Sequence, residues 1–297
     1  MSTPFSHFFN KINKITPQGA EYLQGLENIA LMPKMLYFRG KIPENRVKTV
    51  AIVGSRHNTR YGEEVTYKLA YELAKTGVVV ISGLAYGVDS IAHRAALDAG
   101  GVTIGVLGTP IDKIYPVRHT SLAREIIESG GAILSEYAPG AEVFPRTSFL
   151  ERNRIISGLA DAVVVTEAAE RSGSLNTATH ALDQGKDLFV VPGNITSLMS
   201  QGCNKLIKAG AMPLTGVEDV LDVLFPAVKK SKKQRRLIMG DTEEEAAILA
   251  KIAEGMDDGE DIIASLGIAA SMFNQTITML EIKGVVKSLG ANRWMLV

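Results

Sequence analysis

Between residues 47 and 224 the chain alternates short, β-branched apolar runs with amphipathic stretches of helical period, and that alternation leaves few folds open. The runs lie at 49–53, 78–81, 102–107, 132–134, 162–166 and 188–191. Most of their residues are Val, Ile, Leu or Ala with no polar face, the pattern of strands covered on both sides. Such strands, separated by helices, pair in parallel, because a parallel connection must cross over the sheet and a helix is the usual crossover. The expected fold is α/β, a doubly wound and mostly parallel sheet. In such sheets ligands sit beyond the carboxyl ends of the strands, so the segments that follow each run carry the chemistry.

Those segments are rich in Gly, Ser, Arg and Asn. The first, KTVAIVGSRHNTRYG over 48–62, ends a strand in Gly54, Ser55 and Arg56 and then enters a helical pattern. Backbone N–H groups and the positive end of a helix dipole converge there on one point, a place for a phosphate. Arg56 adds a planar fork of donors suited to phosphate oxygens. The same residues fit an ordinary βα turn with a solvated arginine, and the motif alone does not separate the two. After the second run come Ser82 and Gly83, then Gly87; the two glycines permit a close approach of backbone to a ligand, and Asp89 is a candidate cap for the helix beyond. His93, alone on that helix, reads as a packed group rather than a ligand. After the third run, Arg118 follows Tyr115-Pro116-Val117 on the same edge, with a solvated loop charge as the competing reading.

The segment FPRTSFLERNR at 144–154 is the richest. Arg146, Arg152 and Arg154 interleave with Phe144 and Phe149, and Asn153 adds an amide. A single-stranded nucleic acid requires this set: cations for phosphates, a π-face for stacking and an amide for a base edge. Leu150, Ile155, Ile156 and Leu159 mark a buried side of the same helix, so one of Arg152 and Arg154 is a candidate for a structural pair with Glu151 or a neighbouring carbonyl. After the fifth run, Ser172, Gly173 and Ser174 open another helix whose N–H groups suit a phosphate. Four such turns along one sheet edge point to an extended polyanion rather than a single nucleotide.

Composition narrows the class further. A chain of 297 residues with 46% hydrophobic content can hold one large domain and a smaller one. Its single cysteine, Cys203, excludes an intrachain disulfide and a thiolate metal site. No N-terminal apolar segment and no run of about 18 apolar residues occurs, so a cytoplasmic location without a membrane partner is expected. Formal net charge is zero, yet residues 241–297 carry 4 Lys+Arg against 10 Asp+Glu, which leaves 28 against 22 for residues 1–240. There is no GxxxxGK[ST], no GxGxxG with a downstream acid in the first βα unit, no HExxH, no CxxC and no GxSxG. Nothing assembles a nucleophile with a base, so the reading is a binding protein rather than an enzyme, with no cofactor and no metal.

VAIVGSR, SGLAYGVDSIAHRAAL, LGTPIDKIYP, FPRTSFLERNRIISGLA, VVVTEAAERSGSLNTATHAL and VVPGNITSLMSQGCNKLIKAGA follow one another in this order. Together they closely resemble the DprA/Smf family, the DNA-processing protein A of bacteria, from Tyr37 to Leu224. The resemblance implies a Rossmann-like domain that binds single-stranded DNA, forms a homodimer, protects incoming DNA and loads the RecA recombinase in natural transformation, without catalysis of its own. By motif, Gly54, Ser55 and Arg56 resemble the family's phosphate-binding loop. Arg146 resembles the basic residue ahead of its RNR motif, Phe149 the base-stacking aromatic, and Arg118 the basic residue that follows its YP motif.

Outside that stretch, residues 1–46 are expected to form a short N-terminal helical extension, with an amphipathic stretch at 15–29. Residues 227–240, including VKKSKKQRRL, read first as a basic solvated linker and second as an auxiliary phosphate-contacting arm. Residues 241–297 read as three helices and a β-hairpin around Gly290, similar to the small winged-helix domain that many family members append. The third helix, at 270–277, lacks the Arg and Lys of a major-groove reader, and this region is acidic, so a protein-contact or regulatory module is favoured. The rival function is a nucleotide-processing enzyme resembling the cytokinin-activating phosphoribohydrolases of the same sheet. Those enzymes carry PGGxGT with a downstream Glu, where this chain reads AERSGSLNTA without the double glycine.

Overall fold

The computed structural model describes residues 11–226 and 242–296; the expected linker at 227–240 lies outside the described residues. The chain divides into two compact units, 1–224 and 225–297.

The larger unit is built on nine strands: β1 (Asn13–Ile15), β2 (Leu36–Gly40), β3 (Thr49–Val53), β4 (Val79–Ser82), β5 (Thr103–Leu107), β6 (Ala132–Ser135), β7 (Ala162–Val165), β8 (Asp187–Val190) and β9 (Met212–Pro213). Each expected strand appears within a residue of its expected bounds. The order across the sheet is β1-β2-β6-β5-β4-β3-β7-β8-β9. From β6 to β9 all neighbours are parallel, and β1 and β2 add an antiparallel edge. Both faces are covered, as the unbroken apolar runs require. In β6, Ala132 and Leu134 enter one core with Ile155 and Leu159, whereas Ile133 between them enters another with Leu122 and Ile126. The crossovers are helices α1 (Arg60–Lys75), α2 (Val88–Asp98), α3 (Thr120–Glu128), α4 (Pro145–Leu159), α5 (Ser174–Asp183) and α6 (Gln201–Lys208), and α7 (Val217–Leu224) closes the unit. Strand order reverses between β3 and β7, so the loops after these two strands diverge there and open the crevice where such sheets bind ligands.

The N-terminal segment differs from expectation. Residues 13–40 form no helical extension: β2 pairs antiparallel with β6, with Tyr37 opposite Ser135, and β1 pairs with β2. The amphipathic stretch folds as two short 3-10 helices, Pro17–Gly19 and Glu21–Asn28. Tyr22, Leu23 and Leu26 from the second are fully buried in the core that α4 also fills, each worth about 1.5–3 kcal/mol of apolar burial. Arg46 fastens this segment: its guanidinium lies 5.7 Å from the Tyr22 ring centroid and 3.0 Å from Asp161 Oδ1, while Asp161 Oδ2 accepts the Thr49 N–H at 2.8 Å.

The smaller unit contains α8 (Glu243–Ala253), α9 (Gly259–Leu266), α10 (Ala270–Ile282) and the hairpin β10 (Val286–Gly290) and β11 (Arg293–Leu296), the three helices and hairpin expected from the sequence. Thr242 and Asp258 cap α8 and α9 by accepting the N–H groups of Glu245 and Glu260. Ile248, Ile262, Phe273, Ile277, Leu280 and Val286 form its core. On α10 the exposed large apolar side chains are Met272, Met279 and Ile282. Among the described residues no single helix is long and apolar enough to cross a membrane.

Candidate nucleic-acid interface

The loop after β3 is held across the switch point by the backbone of Ser55. Its N–H donates to the Glu167 carbonyl at 2.7 Å, its carbonyl accepts the Val88 N–H at 3.1 Å, and its hydroxyl accepts the His57 N–H at 3.0 Å. With both backbone groups engaged, Ser55 positions its neighbour rather than a ligand, and Arg56 is left exposed. The loop after β4 comes in close because Gly87 has φ +75° and no side chain; a Cβ there would lie 2.9 Å from the Arg56 Cα.

Two of the expected phosphate turns are filled by the protein's own carboxylates. At the start of α1, Glu167, 2% exposed, accepts the Thr59 N–H and the Thr59 hydroxyl, both at 2.7 Å. The helix dipole is thus complemented by an internal anion, where the sequence reading placed a phosphate. At the start of α2, buried Asp89 accepts the N–H groups of Gly83 at 3.0 Å and Ala85 at 3.4 Å. Burial raises the Asp89 carboxyl above its usual range, and Arg152 opposes that shift. Ser82 is fully buried and donates its hydroxyl to the Ile52 carbonyl at 2.6 Å. Ser82 and Gly83, expected in the interface, therefore shape the loop from inside.

The Arg152, Asn153 and Arg154 run is a second correction. Arg152, 5% exposed, donates to the carbonyls of Gly83, at 2.7 Å, and Val106, and through Nε to Asn153 Oδ1. Burial lowers its pKa to about 10, with Asp89 acting in the opposite sense, so it remains a cation at neutral pH. Asn153 donates to Asn176 Oδ1 at 3.1 Å and to the Gly173 carbonyl, which ties α4 to the start of α5. Arg154 Nη2 donates to both carboxylate oxygens of Glu136, at 2.8 and 2.9 Å, and Nη1 donates to the Glu151 carbonyl. These three face inward because α4 is covered by sheet on this side, and their donors meet carbonyl and carboxylate oxygens there, with the buried Arg154 Nε as the exception. The sequence reading assigned one arginine to structure; the fold takes both.

What remains on the surface is compact in a different way. The Arg56 guanidinium lies 5.7 Å from the centroid of the half-buried Phe149 ring, which packs against Gly108. Tyr115, 49% exposed, sits with its ring centroid 5.3 Å from that of Phe149. Tyr86, 42% exposed, meets His119 edge to face at 4.9 Å, and Arg118 is exposed next to His119 in the same 3-10 turn. Gly173 has open space around it at the start of α5, where the Ser172 and Ser174 hydroxyls lie 2.7 Å apart and Ser174 is buried. The Arg146 side chain lies outside the described residues. Sequence reasoning missed Glu167, Tyr86 and Tyr115 as parts of the site and read Asp89 only as a helix cap, whereas its carboxylate accepts the Gly83 and Ala85 N–H groups of the preceding loop; the signal available for the tyrosines was an aromatic ring in each of two loops that follow strands.

A parallel sheet whose carboxyl edge carries exposed arginines beside aromatic rings defines a Rossmann-like binding domain. The family model for DNA recombination-mediator protein A matches residues 13–225, and the chain belongs to that family. The match starts at β1, so the N-terminal strands and 3-10 helices belong to the family's domain. Protein Smf of Escherichia coli is 45% identical over 196 residues, 65% of this chain and 51% of the relative, so this chain spans about half the length of that protein. The DNA processing protein DprA of Streptococcus pneumoniae is 40% identical over 200 residues, 67% of this chain and 70% of the relative. Its crystal structure matches with a TM-score of 0.66 at 39% identity, over 73% of this chain and 75% of that one. A DNA processing protein A structure from Helicobacter pylori, described for its single-stranded DNA binding mode, matches with a TM-score of 0.64 at 33% identity, over 75% of this chain and 98% of that one.

Proposed function

We propose that the larger unit binds single-stranded DNA at the carboxyl edge of its sheet, largely without regard to base sequence, as a recombination mediator in DNA uptake. The observation that carries this reading is the Arg56 guanidinium 5.7 Å from the Phe149 ring on an exposed loop. One group attracts a phosphate and the other offers a π-face to the adjoining base, the two elements of sequence-tolerant single-strand binding. Family membership and the single-stranded DNA binding of the Helicobacter relative support the same reading. Homodimer formation, protection of incoming DNA and loading of the RecA recombinase follow from the family and belong to the proposal, as does the absence of catalysis. The acidic smaller unit, with methionines exposed on α10, is assigned to protein contact or regulation.

Fluorescence anisotropy with matched single-stranded and blunt duplex oligonucleotides tests the main claim. The expected result is preference for the single strand and affinity that falls steeply with salt. Equal affinity for the duplex at the same salt overturns it. Release of free base from nucleoside monophosphates would return the protein to the rival class of phosphoribohydrolases.

A further inference from the structure

Arg56 holds one phosphate in the proposed function, and a phosphate inside a strand has a nucleoside on each side. Phe149 and Tyr115 provide aromatic surface for one of these bases. The loop after β4 brings a third ring to the neighbourhood of the arginine: Gly87 packs on the Arg56 backbone, and Tyr86 precedes it in the chain. Tyr86 is 42% exposed although it sits in a loop fixed from within. Leu84, two residues earlier, is fully buried with φ +58°, an unfavourable conformation for a leucine, and is kept there by tertiary contacts. The Leu84 carbonyl accepts a hydrogen bond from His119 Nδ1 at 2.8 Å, and the same imidazole meets the Tyr86 ring at 4.9 Å and 70°. A strained, anchored loop that presents an aromatic face to solvent beside a phosphate-binding arginine is arranged for a ligand rather than for packing.

We propose that Tyr86 is a second base-stacking platform, positioned by His119, so that the bases on both sides of the Arg56-bound phosphate are gripped. This rests on the single-stranded DNA reading and extends it to a dinucleotide step. It predicts that Tyr86 acts on bases and Arg56 on phosphates. The test uses the full chain with two ligands, short oligothymidylate and the same sugar-phosphate strand without bases. Tyr86→Ala is expected to weaken oligothymidylate binding about tenfold and to leave the base-free strand unaffected, and Tyr86→Phe to bind as the parent does. His119→Ala is expected to weaken oligothymidylate binding in the parent and to add nothing in the Tyr86→Ala background, the behaviour of a positioning residue. An unchanged melting temperature for Tyr86→Ala separates lost stacking from lost fold. Parent-like oligothymidylate binding by Tyr86→Ala, or equal losses on both ligands, overturns the proposal. If Arg56→Ala still weakens binding in that case, the single-stranded DNA reading stands without it; if the parent binds neither ligand, that reading fails first.

Discussion

Arg152 and Asp89 hold the two sides of one residue, Gly83: the guanidinium donates to its carbonyl at 2.7 Å, and the carboxylate accepts its N–H at 3.0 Å. A side chain at position 83 would fall on the Arg152 guanidinium, so glycine here makes room for a buried cation of the protein itself rather than for a ligand. The pair fixes the start of the loop that carries Tyr86, which makes the buried RNR run part of the site's frame.

Removing Arg152 should therefore cost stability first. Arg152→Ala leaves the buried carbonyls of Gly83 and Val106 without their donor, and a loss of about 1–3 kcal/mol for each is expected in denaturant unfolding. DNA binding should fall only with the folded fraction. A variant of parental stability that no longer binds DNA would instead make Arg152 a ligand-contacting residue.

Arg56 should behave in the opposite way. It is exposed and packs little, so Arg56→Ala is expected to leave the melting temperature nearly unchanged and to weaken single-strand binding by about 1–3 kcal/mol. The slope of log affinity against log salt should flatten by about 0.7 for each phosphate contact removed. Arg118→Ala should show the same signature if the strand runs past the 3-10 turn. A titration series from low to moderate salt on both variants decides this, and an unchanged slope in Arg56→Ala would falsify its phosphate role.

Phe149 is half-buried, between the platform and core readings of an aromatic residue at this position. Phe149→Ala should lose about 1–3 kcal/mol of binding with an unaltered salt slope. Its loss of stability should fall short of the roughly 3–5 kcal/mol of a core phenylalanine. Calorimetry and anisotropy on the same preparation measure both, and normal binding by a strongly destabilised variant contradicts the stacking role.

His93 gives the fold a defined response to acid. Thr103 donates its hydroxyl to the Val80 carbonyl, so His93 Nδ1, 2.7 Å from Thr103 Oγ1, must carry a proton, and Nε2 is buried without a hydrogen-bond partner. A second proton on that ring has no solvation and lies near Arg152 and His119, and burial above all lowers its pKa to about 3 from 6.5. The folded state therefore resists a proton that the unfolded state accepts. The stabilisation is complete above pH 6.5 and is lost as pH falls toward 3, by about 1.4 kcal/mol per unit inside that window. Denaturant unfolding at pH 7.5 and 5.5 should show this loss in the parent and a smaller one in His93→Gln. Identical pH dependence in the two proteins would contradict it.

The element pattern was legible in the sequence because strands covered on both faces and the helices between them differ in period and composition over the whole stretch from β3 to β8. The exposed turn of Arg56 was legible because a strand that ends in glycine and passes into a helix leaves the arginine at the sheet edge; that Phe149 stands beside it was not, since the two meet only through the fold. Side-chain direction was not legible. In α4, Arg152 and Arg154 read as cations on offer, yet the rotation of the helix turns both toward Gly83, Val106 and Glu136, groups brought there by other strands. The anion at the start of α1 proved to be Glu167, over a hundred residues away in sequence and adjacent only because β7 pairs with β3. The N-terminal strands were hidden for a related reason: β2 is specified by its antiparallel partner β6 and by a core that α4 completes. Sequence determined which residues form strands, helices and turns, since those preferences act between near neighbours. Only the tertiary structure decided which charges face solvent, because burial and pairing depend on segments that meet through the sheet.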